Sequence, residues 1–446
     1  MGIAPPRLSV IEGGGRPRAF RQALEFASLG AGLTFIAVLL GRLPAWFHNL
    51  GAFQSLFALA FVFYGLALLR LERYAAIPHA ALGVFAVALS TRIALLPAAP
   101  SLSGDIYRYV WEGRVVAHGG NPYRQSPLDP ALAPLRDREI FPRLNHRELA
   151  TIYPPLAVGG FALLARVAPS VGAFKLWVVL HDLALVMVLL AWAARRGQSP
   201  VTVLAYAWNP LVLVEYAGSG HNDPTALLWM ALAFLWLDSR PIASAIALAL
   251  GALVKLAPLV ALPFLLRRWP WRARLACLAL LAAGLGWFWT ETRGPSSGLS
   301  AYWGAWRNNE LLFHYFEGMT GSYATARSLA LALLVATIGY AWWRDRAPER
   351  ATRLAVRSGT LLSPVVHPWY LGWALFFEPL APSWSWPWLL LSLTAILNYG
   401  VLATPAAGRD FHLPLPWRWL EYGGPLALAL LLAAARAARR SAPAGT

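Results

Sequence analysis

The stretch from Ser101 to Tyr123, SLSGDIYRYVWEGRVVAHGGNPY, follows an apolar segment and sets acids, arginines and aromatics side by side. Ser103 is placed to cap a helix running to about His118, where Gly119 and Gly120 end it. Asp105 then falls in the first turn, where the helix dipole and nearby amides keep its carboxylate ionised. At helical spacing Asp105, Tyr109 and Glu112 share one face, while Tyr107, Trp111 and Arg114 form a neighbouring one. Such a set suits a carboxylate base beside sugar-stacking aromatics, with an arginine for phosphate. It equally fits an amphipathic helix lying in the headgroup layer, where aromatics gather.

A second group comprises Trp208-Asn209-Pro210, Glu215 and the glycine-rich turn GSGHNDP from Gly218 to Pro224. The turn offers His221, Asn222 and Asp223 to a polar ligand, although a capped turn with Asp223 opening the next helix uses the same residues. Lys255, in GALVKLAP, interrupts an apolar hairpin. Ionised groups within a membrane are costly and usually functional, with snorkelling to the interface as the alternative. His181 and Asp182 lie inside an apolar run and need partners, which favours a packing contact. Farther on, Trp303, Trp306, Arg307, Asn308, Asn309 and Glu310 interleave aromatic and polar groups as carbohydrate sites do. His367-Pro368-Trp369-Tyr370 caps a later hairpin and could also be an aromatic-belt anchor. No His, Cys or Asp cluster has metal-ligand spacing, and no glycine motif for a soluble nucleotide is present.

The elements that must hold these groups are written for lipid. Of 446 residues, 58% are hydrophobic and 13% charged, against about 25% charged in soluble domains. Mean hydropathy is +0.50. The fold class is therefore all-α: a polytopic integral membrane bundle, with an interfacial helix in its first large outer loop. The net charge of +17 sits in short arginine clusters between apolar runs, as positive-inside topology requires and nucleic-acid binding does not. A single cysteine, Cys277, excludes an internal disulfide. Residues 1–22 have no apolar core and read as a basic cytosolic tail, leaving 23–446 as one membrane-embedded domain with an outer loop at 98–168.

Spans are predicted near 23–45, 51–70, 77–98, 172–194, 200–217, 225–238, 241–254, 258–267, 275–290, 324–343, 355–366, 369–381, 385–403 and 419–440, about fourteen in all. The segment from Tyr153-Pro154-Pro155-Leu156 to about 168 is read as a short helix dipping into the outer leaflet, because a crossing there would put Arg195 and Arg196 outside. That threading keeps the arginine clusters and both termini in the cytosol. It brings Asp105, His221, Asp223, Lys255, the loop around Arg307 and His367 to the outer side. Several spans are too short to cross alone, which predicts broken helices packed around a cavity.

In order, the chain carries GDIYRYVWEGR, GGNPY, IYPPL, WNPLVLVEYAGSGHND, GALVKLAP, WRNNELLF and HPWYLGW. This series, over roughly residues 75 to 380, resembles the GT-C superfamily of polytopic membrane glycosyltransferases, in particular bacterial polyprenol-phosphate-mannose-dependent mannosyltransferases. The resemblance implies transfer of a hexose, mannose in the first instance, from a polyprenyl-phosphate-linked donor to a hydroxyl of a glycan or lipid acceptor. Transfer would occur on the outer face of the bacterial plasma membrane, with inversion at the anomeric carbon. By that analogy Asp105 is the general base; the leaving lipid phosphate needs cations at headgroup depth, for which Lys255 and Arg114 or Arg307 are the candidates. Tyr109, Glu112, His221, Asn222, Asp223, Asn308 and His367 would contact substrate. Relatives often carry two adjacent acids where this chain has Gly104 and Asp105. No metal or other cofactor is therefore expected, since arginine and lysine can take a lipid-phosphate leaving group. The competing expectation is a transporter or a flippase of lipid-linked substrates, because polar groups in broken helices also mark transport paths.

Overall fold

In hydrocarbon every backbone amide must be paired within its own segment, and this chain meets that demand with helices. The computed structural model describes residues 15–294, 297–381, 384–403 and 413–441, without the side chains of 15–18, 401–403 and 439–441. The principal helices, in chain order, are α1 (Gly15–Arg42), α2 (Leu50–Leu69), α3 (Ala80–Leu95), α4 (Asp105–Ala117), α5 (Pro155–Val167), α6 (Val171–Arg195), α7 (Asp223–Leu235) and α8 (Pro241–Val254). They continue as α9 (Trp271–Glu291), α10 (Gly298–Ala305), α11 (Leu312–Thr320), α12 (Tyr323–Arg344), α13 (Pro348–Leu362), α14 (Trp386–Thr394) and α15 (Leu415–Ser441). Among the described residues there is no β-strand, only an isolated bridge between Asn308 and Val365.

Among the described residues six helices, α1, α2, α6, α9, α12 and α15, are long and apolar enough to cross a membrane. Five shorter apolar helices, including α3, α5, α7 and α8, accompany them. Phe35, Val62, Leu82, Leu163, Val335 and Leu431 stand outward on these elements, as lipid-facing side chains do. The chain is thus an integral membrane helical protein, with six helices among the described residues long enough to span where about fourteen spans were expected.

The difference has local causes. Over 200–217 the chain is not one helix: a 3-10 turn (Pro200–Val203), two short α turns and a π turn (Leu213–Gly218) follow one another. Asn209 breaks the run, accepting from the amides of Leu211 and Val212 ahead of Pro210, which has no N–H to give. Segments 258–267 and 369–381 are likewise broken, each around prolines. The span expected at 355–366 belongs to α13, whose Arg350, Arg353 and Arg357 make it amphipathic. Of the tail expected at 1–22, residues 1–14 lie outside the described residues, and α1 already begins at Gly15.

The helix opened by Asp105, expected at the interface, is enclosed by the protein itself. Ile106 through Gly113 are all buried in α4, so protein covers it on several sides. Gly113 allows this, because a Cβ there would lie 2.3 Å from the carbonyl oxygen of Phe161 on α5. Tyr109 stacks on Phe161 with centroids 4.7 Å apart, and Trp111 meets Phe141 at 5.6 Å.

Two buried cations set the frame behind α4. Arg92 of α3 donates to Asp182 of α6 at 2.7 Å and to the carbonyl of Ala207 at 2.9 Å, while Tyr206 donates to the other Asp182 oxygen at 2.8 Å. Asp182 is therefore a packing partner, and His181 bonds back to the Trp177 carbonyl of its own helix. Lys175 donates to the carbonyls of Leu95, Leu96 and Ala98, closing the end of α3 and aiming the chain toward Asp105. An ammonium so deep is tolerated because its three donors are all used.

Candidate active site

A cavity of about 620 Å³ opens among five parts of the chain: the start of α4 with the loop to Pro154, the segment from Lys255 to Val260, α10 with the residues to Asn308, α13 with the residues to Trp373, and Asn398 with Tyr399. That is the size of a small-molecule site, roughly 300 to 1,000 Å³. Among its described lining residues Asp105 is the sole carboxylate, set among Arg108, His146, Lys255, Arg307 and His367. Tyr109, Tyr153, Tyr302, Trp306, Trp369 and Tyr370 supply aromatic surface.

Asp105 is the first residue of α4, and its amide donates to Ser103 Oγ at 3.2 Å, with Gly104 at the N-cap position. One carboxylate oxygen accepts from Asn145 Nδ2 at 3.1 Å, and the other lies 3.9 Å from His221 Nε2. The side chain remains 23% exposed, so it can meet a ligand.

His221 and Asp223 arrive on the turn after the π helix. Gly220 turns the chain at φ +80°, and Ile106 packs so near that a side chain there would collide with it. His221 Nδ1 lies 2.9 Å from Glu215 Oε2 and 3.2 Å from the Glu215 carbonyl. The ring stacks on Trp369 at 3.8 Å, and Trp369 stacks on His367 at 4.2 Å. Burial disfavours the charged imidazole of His221, yet the Glu215 hydrogen bond and charge, with Asp105 and Asp223, raise it above the ordinary histidine value. His367 goes the other way: burial, then the charges of His221, Lys255 and His146, bring it down to about 3. Its Nδ1 faces Asn308 Nδ2 at 2.7 Å, and Asn308 also donates to the Val366 carbonyl.

Lys255 terminates α8 and donates to Asp223 Oδ1 at 2.6 Å, which also accepts from Trp373 Nε1 at 2.6 Å. Its ammonium stands 5.2 Å from the Tyr370 ring centroid, and Tyr370 OH pairs with Tyr302 OH at 3.1 Å. Asp223 is fully buried, so it serves Lys255 and does not itself face the cavity. Arg307 lines the cavity with its guanidinium braced by Glu310 and Glu317.

Of the residues expected to act, the structure gathers Asp105, Tyr109, Lys255, Arg307, Asn308 and His367 on the cavity wall, with His221 and Asp223 directly behind. Three stand elsewhere. Arg114 points away, bonded to the Asp137 carboxylate and the Pro169 carbonyl, so it does not meet a donor phosphate here. Glu112 is buried, taken by Arg108 and Thr151, and burial pushes its carboxyl above the usual range. Asn222 spends its side-chain oxygen on Thr225. Glu112 and Arg114 fall short of the cavity because α4 turns that part of its face onto α5 and the loop to Pro154, and Asn222 because it sits at the N-cap position of α7. Conversely, Asn145, His146, Tyr302 and Trp373 went unselected, and Arg108 proves a lining residue held by the carbonyls of His146 and Leu149. Only the polar density of LNHREL hinted at the first two.

A family model described as alpha-(1->6)-mannopyranosyltransferase, N-terminal domain, matches residues 22–271, more than half of the chain. A probable alpha-(1->6)-mannopyranosyltransferase of Mycolicibacterium smegmatis is 27% identical over 399 aligned positions, covering 72% of this chain and 69% of the relative. Alpha-(1->6)-mannopyranosyltransferase A of Mycobacterium tuberculosis is 25% identical over 326, covering 63% and 62%. No solved structure matches the chain at a significant level. The residues matched include α4 with Asp105, the Glu215 to Asp223 turn and Lys255, and they place the chain among transferases in preference to transporters. With helices long enough to span a membrane, the chain belongs to the alpha-(1->6)-mannopyranosyltransferase family and is a GT-C-like membrane mannosyltransferase.

Proposed function

We propose that the protein transfers mannose from a polyprenyl-phosphate-linked donor to an acceptor hydroxyl at the outer face of the membrane, forming an α-(1→6) linkage as its relatives' names describe. The observation that carries this reading is Asp105, the single carboxylate among the described lining residues, in a cavity that sets cationic and aromatic side chains beside an apolar wall. In the proposed step Asp105 takes the proton from the acceptor hydroxyl as that oxygen attacks the anomeric carbon. The bond from that carbon to the phosphate oxygen breaks, and the lipid phosphate leaves with the electron pair and inversion at carbon. Lys255 and Arg307 meet the charge that develops on it, in a site where low dielectric strengthens their effect. The reading thus calls on fixed cations, and not on a metal ion, to receive the phosphate.

Two features support a lipid-borne donor. Leu256, Ala257, Val260, Ala355 and Val356 give the cavity an apolar wall beside Lys255. A second cavity of about 180 Å³, between α12 and α13, shares Tyr302, Gly359, Ser363 and Val365 with the first and is lined by Ala330, Leu331, Leu334 and Leu362. Apolar surface leading off a cationic centre suits a chain of isoprene units behind a phosphate. The outer orientation rests on the arginine clusters, with both termini in the cytosol and residues 23–446 acting as one domain.

The test is purified protein given labelled polyprenyl-phosphate sugars and scored for transfer to any acceptor, water included. Mannose should move from its carrier, and Asp105→Asn should cut turnover by about 10²- to 10⁴-fold while donor binding persists. Comparable turnover in Asp105→Asn would displace the base from Asp105.

A further inference from the structure

We infer that a buried Glu215–His221 dyad places a cation directly behind Asp105, making His221 a positioning residue for the base and not a substrate contact. The inference deepens the proposed function and rests on its assignment of Asp105. His221 and Glu215 are each only 1% exposed, and neither lines the cavity. His221 Nδ1 hydrogen-bonds the Glu215 carbonyl at 3.2 Å and lies 2.9 Å from Glu215 Oε2, a carboxylate with no other hydrogen-bond partner, whereas Nε2 has no hydrogen-bond partner and lies 3.9 Å from Asp105 Oδ2. The ring cannot easily turn away, because Trp369 covers it at 3.8 Å and is itself backed by His367.

Burial pushes the Glu215 carboxyl up while the His221 hydrogen bond and charge pull it down, and with Glu215 and Asp105 both ionised the ring between them must carry two N–H groups. A neutral ring protonated at Nδ1 would turn the Nε2 lone pair toward the Asp105 carboxylate, and one protonated at Nε2 would turn the Nδ1 lone pair toward the Glu215 carboxylate; either leaves two acceptors face to face without a donor. Buried, that arrangement is costly. A protonated ring offers an N–H to each side and stands as one cation between two carboxylates. The other groups around it leave this balance alone. Asp223, on the same turn, is paired with Lys255; His367 is held neutral across Trp369; and Lys175 of α6 has its ammonium on three backbone carbonyls. The π turn at Leu213–Gly218 and the left-handed Gly220 bring Glu215 and His221, six residues apart, onto the same ring edge. A π turn is a common device at functional sites.

The consequence is that a positive charge stands between Asp105 and Glu215, and its removal leaves the two carboxylates facing each other. The measurement is the pH dependence of kcat/KM for mannosyl transfer in wild type, His221→Gln, His221→Asn and the double variant Glu215→Gln/His221→Gln. Losing the cation should raise the acid limb by about one pH unit or more in both single variants. The double variant should return part of the way, since the uncompensated charge of Glu215 is gone as well. A lower rate at every pH with an unmoved acid limb would mean a purely structural histidine. A double variant whose limb coincides with that of His221→Gln would also overturn the dyad. Asp105→Asn separates the two levels: if it is inactive while the limbs do not move, only the dyad has failed. If it is fully active, the base assignment has failed and takes the dyad with it.

Discussion

Lys255→Ala tests two roles of one ammonium, and the structure gives a magnitude for each. Lys255 supplies one of the two donors to Asp223, whose carboxylate is fully buried and whose second oxygen has no partner. Removing one side of a buried ion pair costs about 3–5 kcal/mol. The lysine side chain is 30% exposed, so water already screens part of the pair, and a loss of about 2–3 kcal/mol is the better figure. The same substitution deletes the ammonium proposed to meet the donor phosphate. A charged contact is worth about 1.5–3 kcal/mol, or roughly 10- to 100-fold in donor affinity. The two effects separate in Lys255→Ala/Asp223→Asn, where no charge is orphaned: stability should largely return, and donor affinity should not. Thermal unfolding in detergent and binding of polyprenyl phosphate to the same preparations read the two quantities. An unfolding midpoint equal to wild type in Lys255→Ala, or no recovery in the double variant, would refute the ion-pair argument. Unchanged donor affinity would refute the phosphate role.

Two further outcomes follow from the same geometry. Arg114→Ala should leave donor affinity unchanged and cost no more than about 1 kcal/mol, because its pair with Asp137 is partly exposed; a loss of affinity comparable to that of Arg307→Ala would return Arg114 to the site. Stability should also fall on acidification through His367. Its folded value of about 3 lies below the unfolded value near 6.5, so the unfolded chain binds the extra proton between them. That contribution is complete above pH 6.5 and drains at about 1.4 kcal/mol per pH unit at the steepest as pH drops toward 3. His367→Gln should flatten the acid side of the unfolding midpoint measured against pH, and an unaltered slope would show that His367 is not held neutral.

The helical membrane class, and the positions of most helices, were legible because hydrophobic runs report burial in lipid directly. The span predicted at 241–254 coincides with α8, and those at 51–70 and 172–194 fall within a residue or two of α2 and α6. The count of crossings was not legible. An apolar run such as 200–217 is buried whether it faces lipid or threads the protein interior, and only its turn-by-turn hydrogen bonding distinguishes the two. Arg357, within a predicted span, shows the converse: its partner Glu378 lies on another element, so sequence alone could not show what compensates the charge.

Asp105 at a helix start, Lys255 in an apolar hairpin and the aromatic interleaving around Arg307 were determined by the sequence, because helix caps, intramembrane charge and local periodicity act over a few residues. Which of these groups meet was decided by the tertiary structure alone. Glu112 and Arg114 share a helix with Asp105 and yet leave the cavity, since α5 and the loop to Pro154 cover that side. His221, more than a hundred residues downstream, ends 3.9 Å from the Asp105 carboxylate. The physical reason is that periodicity fixes which face a residue occupies, whereas the neighbour of that face is set by packing between elements distant in the chain.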